Sequence, residues 1–338
     1  MTIRRIYLEV TSRCNYRCVY CPHPTMVREK RHLDFELGRL ALRQVAEDGI
    51  GADIHLNYLG EPLMYPRFFE LAEEAARLGL RTHTITNGSL LSAQRIERLA
   101  ASPLSSIKIS HDGSGPEVTR VHGAPAFPPE RIARNIAATL ARLPAAGMEV
   151  TIILMTTLPG YWRAVPGVSV IATPEALMAE VRAVYDLVCA AEIAEIVAWQ
   201  EVCEALVSID WQWWNPAIQL AERVFVEIRP NLNWGNAGLQ ATIEAATEGT
   251  CDALVDKVAI LVNGDVVPCC IDAEGELVLG NIGVQRLAEI LAGKRAAAIR
   301  RGFAAGNVVE PRCQLCLGKP RATCAPRPPT GLPILASH

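Results

Sequence analysis

Along the first 160 residues the apolar positions keep switching between two periods. Residues 6–10 (Ile-Tyr-Leu-Glu-Val) form a short apolar run that predicts a first strand. From Asp34 the spacing becomes helical and stays so to about residue 46. Residues 53–58 alternate, which predicts a second strand. Residues 68–78 put Phe68, Leu71, Ala75 and Leu78 on one helical face, and 81–86 predict a third strand. A helix over 92–100 and a strand over 105–110 follow. Residues 129–143 place Ile132, Ile136, Leu140 and Leu143 at helical spacing. Residues 148–155 are apolar almost throughout, as expected when both faces of a parallel sheet are covered. Strand and helix alternating through short connections predict an α/β fold. The pattern by itself does not separate a closed eightfold barrel from an open doubly wound sheet.

The alternation lapses after residue 160. Helical spacing returns over 174–187 and over 191–206, as one helix or two. A tryptophan-rich stretch follows (Trp211, Trp213, Trp214), and 224–228 predict a sixth strand ending at Arg229. Further on, 258–262 and 266–270 flank Asn263-Gly264-Asp265, a strong hairpin signal. A second hairpin-like unit is expected over 272–281, then a helix over 284–299. These divisions predict one domain over 1–240, including the helical, Trp-rich segment near 174–216. A second domain is expected over 241–330, with a tail over 331–338.

Composition narrows the class. The chain has 338 residues, half of them hydrophobic, and a net charge of only −3, so a large core is expected and no basic excess for nucleic acid is present. No apolar run is long enough to cross a bilayer, and residues 1–5 lack the features of a signal peptide. A cytoplasmic protein is therefore expected. Of eleven cysteines, three lie near the start and six from residue 251 onward; only Cys189 and Cys203 fall between. That grouping predicts a metal site towards each end rather than a disulfide scaffold.

The first group, Cys14, Cys18 and Cys21, puts three soft ligands on one loop directly behind the first strand. Zinc would need a fourth ligand, and His23 is poorly spaced for a closed tetrahedron. Three thiolates suit a [4Fe–4S] cube with one iron left open. Three strand ends bear on the same question: Leu59-Gly60-Glu61-Pro62, Thr86-Asn87-Gly88 and Ser110-His111-Asp112-Gly113. Such edges are where α/β folds bind ligands. A cationic amine wants carbonyls and a carboxylate, and Gly60 permits close backbone approach. Each Gly-containing end taken alone is an ordinary turn signal. His23, His111 and His122 are proton-transfer groups by type, although surface histidines are commoner.

These residues resemble the radical S-adenosylmethionine (SAM) family: its CxxxCxxC motif with an aromatic, here Tyr20, before the last cysteine, and its GGEP motif, here with Leu59 for the first glycine. The resemblance implies a partial (β/α)6 barrel with the active site at the strand C-terminal ends. It implies that the three cysteines hold the cluster while the open iron chelates SAM. Gly60, Glu61 and Pro62 then receive the SAM ammonium. Thr86, Asn87, Ser110 and Asp112 flank the cofactor, with His111 replacing an apolar residue. Arg229, at a strand end, suits the SAM carboxylate or a substrate anion.

In the C-terminal quarter the hairpin brings Cys251 and Cys269 near one another, and the helix can return Cys313 and Cys316 to them. Four thiolates complete a closed cluster or a zinc site. With Gly264 and Gly280-Asn281, this segment resembles the SPASM/twitch appendage of radical SAM enzymes, implying one auxiliary [4Fe–4S] cluster. Neighbours in a strand face opposite ways, so one of Cys269 and Cys270 is a ligand; the glycine spacing favours Cys269. Cys270 would then be a hydrogen-atom donor or a small buried residue. The predicted activity is hydrogen abstraction from a polar small molecule, an aminocyclitol or sugar, giving oxidation or epimerisation. It resembles aminoglycoside-pathway dehydrogenases and epimerases in size. The alternative is a peptide-modifying maturase, although the first strand begins too early for a preceding peptide-recognition domain. A reducing partner such as flavodoxin or ferredoxin is implied, with no nucleic-acid or membrane partner.

Overall fold

The computed structural model describes residues 3–115, 117–157, 169–208, 217–230, 234–235 and 242–320. Trp211, Trp213, Trp214, Cys324 and the 331–338 tail lie outside the described residues, as does the stretch directly after Pro230.

In chain order the elements are β1 (Arg5–Leu8), α1 (Phe35–Asp48), β2 (Asp53–His55), α2 (Phe68–Arg77), β3 (Arg81–Thr86), α3 (Ala93–Ala100) and β4 (Ser106–His111). Next come α4 (Glu117–His122), α5 (Pro129–Arg142), β5 (Glu149–Thr156), α6 (Pro174–Ala190), α7 (Trp199–Val207), β6 (Ile218–Ala221) and β7 (Val224–Pro230). The last part holds β8 (Ile243–Glu244), β9 (Lys257–Ile260), β10 (Asp265–Val267), β11 (Gly280–Asn281), α8 (Leu287–Ala292), α9 (Lys294–Ala304), α10 (Pro311–Leu317) and β12 (Lys319–Pro320). The α/β class and the parallel core hold.

The chain forms two compact units. The first joins Met1–Thr86 and Ala101–Ser106 to Asn233–Arg321. Its sheet runs β11-β10-β9-β1-β2-β3, with β9, β1, β2 and β3 parallel and the hairpin strands β10 and β11 antiparallel. The C-terminal segment thus extends the sheet at β1, in register from Arg5↔Lys257 to Leu8↔Ile260. Ile6, Leu8, Ile54 and Leu56 are fully buried on one face. Asp34 caps α1 by accepting from Leu37 N at 3.0 Å. Gln44, buried on α1, donates to Ile282 O and accepts from Leu287 N, fastening α8 to the first helix. At the hairpin turn, Asn281 Nδ2 donates to Asn263 O and Asp265 Oδ1 at 3.0 and 2.9 Å. That clamp is the physical content of the Gly264 and Gly280-Asn281 pattern.

The second unit comprises Asn87–Ala100 and Ile107–Leu232. Its strands run β4-β5-β7-β6. β5 and β7 are parallel from Val150↔Val224 to Thr156↔Pro230, and β6 is antiparallel to β7 with a bulge between Gln219 and Ala221. Ile107, Ile109, Val150, Ile152, Val226 and Ile228 are buried. On α6, Thr173 accepts from Ala176 N and Pro174 opens the helix, while Leu177, Val181, Val184 and Val188 form its buried stripe.

Several elements differ from expectation. The helical spacing over 191–206 is broken at Glu192 and Glu195, both at φ 53, so α7 starts only at Trp199. Strand β6 and the short α4 carry too few periodic residues to be seen. Residues 272–281 are turns, with only Gly280–Asn281 pairing to β10. The helix expected over 284–299 is divided by Gly293, which ends α8 and caps α9. Among the described residues no helix is long and apolar enough to cross a membrane.

Candidate cofactor and cluster sites

The three-cysteine loop leaves β1 through a stitched neck. Leu33 N donates to Val10 O and Ser12 N to Arg31 O, both at 2.9 Å, while Ser12 Oγ donates to Glu29 O at 3.1 Å. Above that neck, Cys21 N donates to Cys18 O at 3.1 Å, and Tyr16 N donates to Cys14 Sγ at 3.4 Å over a buried tyrosine ring. Cys14, Cys18, Tyr20 and Cys21 are all half-buried. Burial pushes the Cys21 thiol up to about 12, so a metal must compensate for its ionisation. His23 is buried beneath the loop, its Nε2 donating to Ser12 O at 3.1 Å, and burial holds its pKa below the usual value. It acts as a strut there.

Gly60 explains how the second strand end meets this loop. A Cβ on Gly60 would collide with the carbonyl oxygens of Thr11 and Arg13, and Glu61 N donates to Arg13 O at 2.9 Å. The backbone beside Glu61 therefore lies directly against the residue preceding Cys14. Glu61 is 2% exposed; its Oε1 accepts from Thr86 Oγ1 at 2.8 Å and from Leu63 N at 3.1 Å. The first unit thus holds Cys14, Cys18, Cys21, Gly60, Glu61, Pro62 and Thr86 in one framework. Leu59, which departs from GGEP, is buried in an apolar cluster with Met26, Tyr58, Ala259, Leu261, Val267 and Ala273. Its side chain packs against the C-terminal segment, which a glycine could not do.

Two further fastenings were invisible in sequence. Glu9, fully buried, is met by both guanidinium ends of Arg28 and by Val262 N. Arg28 Nε also donates to Ala273 O at 2.6 Å, and Glu274 accepts from Val27 N and Arg28 N. Burial holds the Glu9 carboxyl above its usual range despite that arginine. Tyr58 Oη donates to Asp272 O at 2.7 Å. A carboxylate inside the apolar run of residues 6–10 was the one available signal.

In the second unit, Asn87 Oδ1 accepts from Ser89 N at 3.0 Å and Ser89 Oγ at 2.6 Å, shaping the turn after β3. Ser110 is half-buried near the end of β4. Asp112 is 1% exposed, with Oδ2 2.6 Å from His122 Nε2. His111, at the position where the family has an apolar residue, is buried with Nε2 3.3 Å from Glu180 Oε2. Glu180 also accepts from Ser114 N and Oγ at 2.8 and 2.9 Å, so α6 fixes the turn after β4. Although burial opposes it, His111 and Ser114 hold the Glu180 carboxyl below its usual range. Arg229 Nε and Lys108 Nζ meet the buried Glu227 at 2.5 and 2.8 Å. Against the cost of burial, they hold its carboxyl at about 2.

The C-terminal thiols lie within electrostatic reach of one another. Burial raises Cys251, Cys269 and Cys313, the last to about 12, and each also feels the charge of Cys316. Cys270 lies beside them as well, acting on Cys269 more strongly than Cys316 does, and it also packs against the apolar cluster around Leu59, as do Cys21, Tyr7 and Trp234. Gly235, at φ +65, backs onto Cys316: a Cβ there would stand 2.7 Å from its Sγ. Arg312 pins that turn through Gly235 O at 2.7 Å and Trp234 O at 3.1 Å. A thiol-rich donor set with glycine held against one sulfur fits a bulky iron–sulfur group.

Residues 8–161 match the model of the radical SAM superfamily, and residues 251–317 match that of the SPASM iron–sulfur cluster-binding domain. The chain carries a radical SAM domain followed by a SPASM domain. Its cofactors are therefore a [4Fe–4S] cluster with SAM, and auxiliary iron–sulfur chemistry in the SPASM domain. The chain is 33% identical over 109 residues to PqqA peptide cyclase of Bradyrhizobium diazoefficiens, covering 32% of this chain and 28% of that one. It spans about a third, or less, of the length of the curated relatives it matches. Among solved structures, BtrN in complex with AdoMet and 2-DOIA aligns over 90% of this chain and 89% of its own, with TM-score 0.52 and 17% identity. Streptococcus suis SuiB bound to precursor peptide SuiA aligns over 89% and 67%, with TM-score 0.58 and 16% identity. At such identities the likeness is one of fold.

Proposed function

We propose that this radical SAM protein cleaves SAM reductively and takes hydrogen from a polar small molecule, an aminocyclitol or sugar, giving oxidation or epimerisation. The observation that carries the reading is the buried Glu61–Thr86 pair, pressed through Gly60 against the three-cysteine loop. When bound, the cluster and SAM supply one electron and a 5′-deoxyadenosyl radical. Cys14, Cys18 and Cys21 would hold the cluster, with Tyr20 directly before the last of them. Glu61 and the backbone of Gly60 and Pro62 receive the ammonium, and the Thr86 hydroxyl orients the carboxylate. Asn87, Ser110 and Asp112 would supply further cofactor contacts, and Arg229 would meet the SAM carboxylate or a substrate anion. Cys251, Cys269, Cys313 and Cys316 hold one auxiliary cluster. Cys270 is assigned as hydrogen-atom donor if the outcome is epimerisation; in oxidation the auxiliary cluster would accept the substrate electron instead and a base would take the proton.

A polar substrate is supported by the charged set Lys108, Glu227 and Arg229 on strands β4 and β7, where a purely structural core would be apolar. The second reading, modification of a ribosomal peptide, is favoured by the identity to PqqA peptide cyclase. A one-electron carrier such as flavodoxin or ferredoxin serves either. The test is anaerobic reconstitution followed by incubation with SAM, reductant and, separately, aminocyclitols and peptides in deuterated buffer. The proposal expects 5′-deoxyadenosine and an altered aminocyclitol, with solvent deuterium at the inverted carbon if epimerised. Deoxyadenosine coupled only to peptide would overturn the substrate assignment. If Cys270→Ala still epimerises fully, Cys270 is not the donor.

A further inference from the structure

We infer that the rim of the three-cysteine loop is a docking surface for a small acidic one-electron carrier protein. The inference rests on the cluster assignment above, because it needs an electron acceptor behind that loop. Residues 13–31 hold five basic residues, Arg13, Arg17, Arg28, Lys30 and Arg31, against one carboxylate, Glu29, in a chain whose net charge is −3. Two of these cations are answered locally. Arg28 is half-buried and paired with the buried Glu9, and Arg31 lies 3.4 Å from Glu29. Among the described residues, no carboxylate lies within ion-pair distance of Arg13, Arg17 or Lys30, and Arg13 and Arg17 are exposed.

Geometry keeps these charges together and next to the cysteines. The two segments of the neck are bridged antiparallel at Thr11↔His32, Arg13 Nε donates to Lys30 O at 3.1 Å, and the Lys30 charge is felt at Cys21, so both cations stand near the loop. Arg17 directly precedes Cys18, and Val19, between Cys18 and Cys21, is 55% exposed. Solvent therefore reaches the turn that carries two of the three thiols. An exposed apolar tip on a loop whose Arg13, Arg17 and Lys30 meet no carboxylate among the described residues has the anatomy of a small, transient interface. Charge complementarity there steers encounter and sets orientation more than it adds affinity. The occupant that fits is anionic, and the position identifies its purpose: it is oxidised by one electron as the cluster is reduced by one. A nucleic acid would also be anionic, but an isolated rim of three cations offers no stripe to follow a phosphate backbone.

The experiment measures binding of oxidised flavodoxin to the reconstituted full chain, for wild type and for Arg17→Glu/Lys30→Glu, at about 20 mM and about 300 mM salt. Wild type is expected to bind at low salt and weaken as salt rises; the double variant should lose about tenfold at low salt. Iron content should be unchanged. Deoxyadenosine formation driven by reduced methyl viologen, a small cation, should persist in the variant while the flavodoxin-driven rate falls. Salt-insensitive wild-type binding, or a variant that binds flavodoxin equally well, would overturn the docking surface whatever the variant's fold. Absence of deoxyadenosine with every reductant would instead count against the radical SAM reading, which the binding measurement does not use.

Discussion

At Gly60 the smallest possible change carries a large consequence. Alanine there would drive a methyl group into the carbonyls of Thr11 and Arg13, two backbone positions that cannot swing aside. Gly60→Ala is expected to cost at least about 2 kcal/mol and to lower iron loading at the first cluster, read by thermal unfolding and iron analysis. Glu227 makes the complementary electrostatic case. Its folded pKa, about 2, lies below the usual 4.5. Its contribution is therefore present above about pH 4.5 and is lost as pH falls towards 2, on the order of 3 kcal/mol in all. Glu227→Gln should be less stable at neutral pH, and its acid unfolding curve should lack that component. Equal acid sensitivity in both proteins would contradict the assignment. His111 shows how a single departure from a family pattern is accommodated: burying a ring nitrogen at an apolar position works because α6 brings Glu180 to it.

Between elements, the decisive link is the one from the cysteine loop to the C-terminal segment. Arg28 satisfies Glu9 and Ala273 O together, and Glu274 caps the backbone of Val27 and Arg28. Removing one member of a buried ion pair leaves the other uncompensated. Arg28→Met is therefore expected to cost about 3–5 kcal/mol, and Arg28→Met/Glu9→Leu to recover much of it. Hydrogen exchange should show the opening confined to the 22–33 and 269–282 backbone. Equal protection in wild type and Arg28→Met would remove this link from the account. The strands and long helices of the first 156 residues were legible because each carries a sustained period of two or 3.6. Strand β6, α4 and the break at Gly293 were not, being too short to show a period.

For the molecule as a whole, the C-terminal segment joins the first strands in one compact unit: β9 pairs with β1, and Tyr58, Leu59 and Gln44 reach into it. Losing one of the proposed auxiliary ligands should then be felt functionally without abolishing the first cluster. In Cys313→Ala, iron is expected to fall from about eight to about four per chain, with SAM cleavage largely surviving and product formation lost. Iron falling to near zero would mean that the first site does not load alone, and retained product would remove the auxiliary thiols from turnover.

The sequence by itself determined the α/β class and the grouping of the cysteines, because period, spacing and ligand type are local properties of the chain. The Gly60-Glu61-Pro62 resemblance was equally local. Only the tertiary structure decided what Glu9, Arg28, Leu59, His111 and Glu180 are for. Their partners lie tens to hundreds of residues away, and a buried charge or an odd side chain acquires its meaning from the group brought against it.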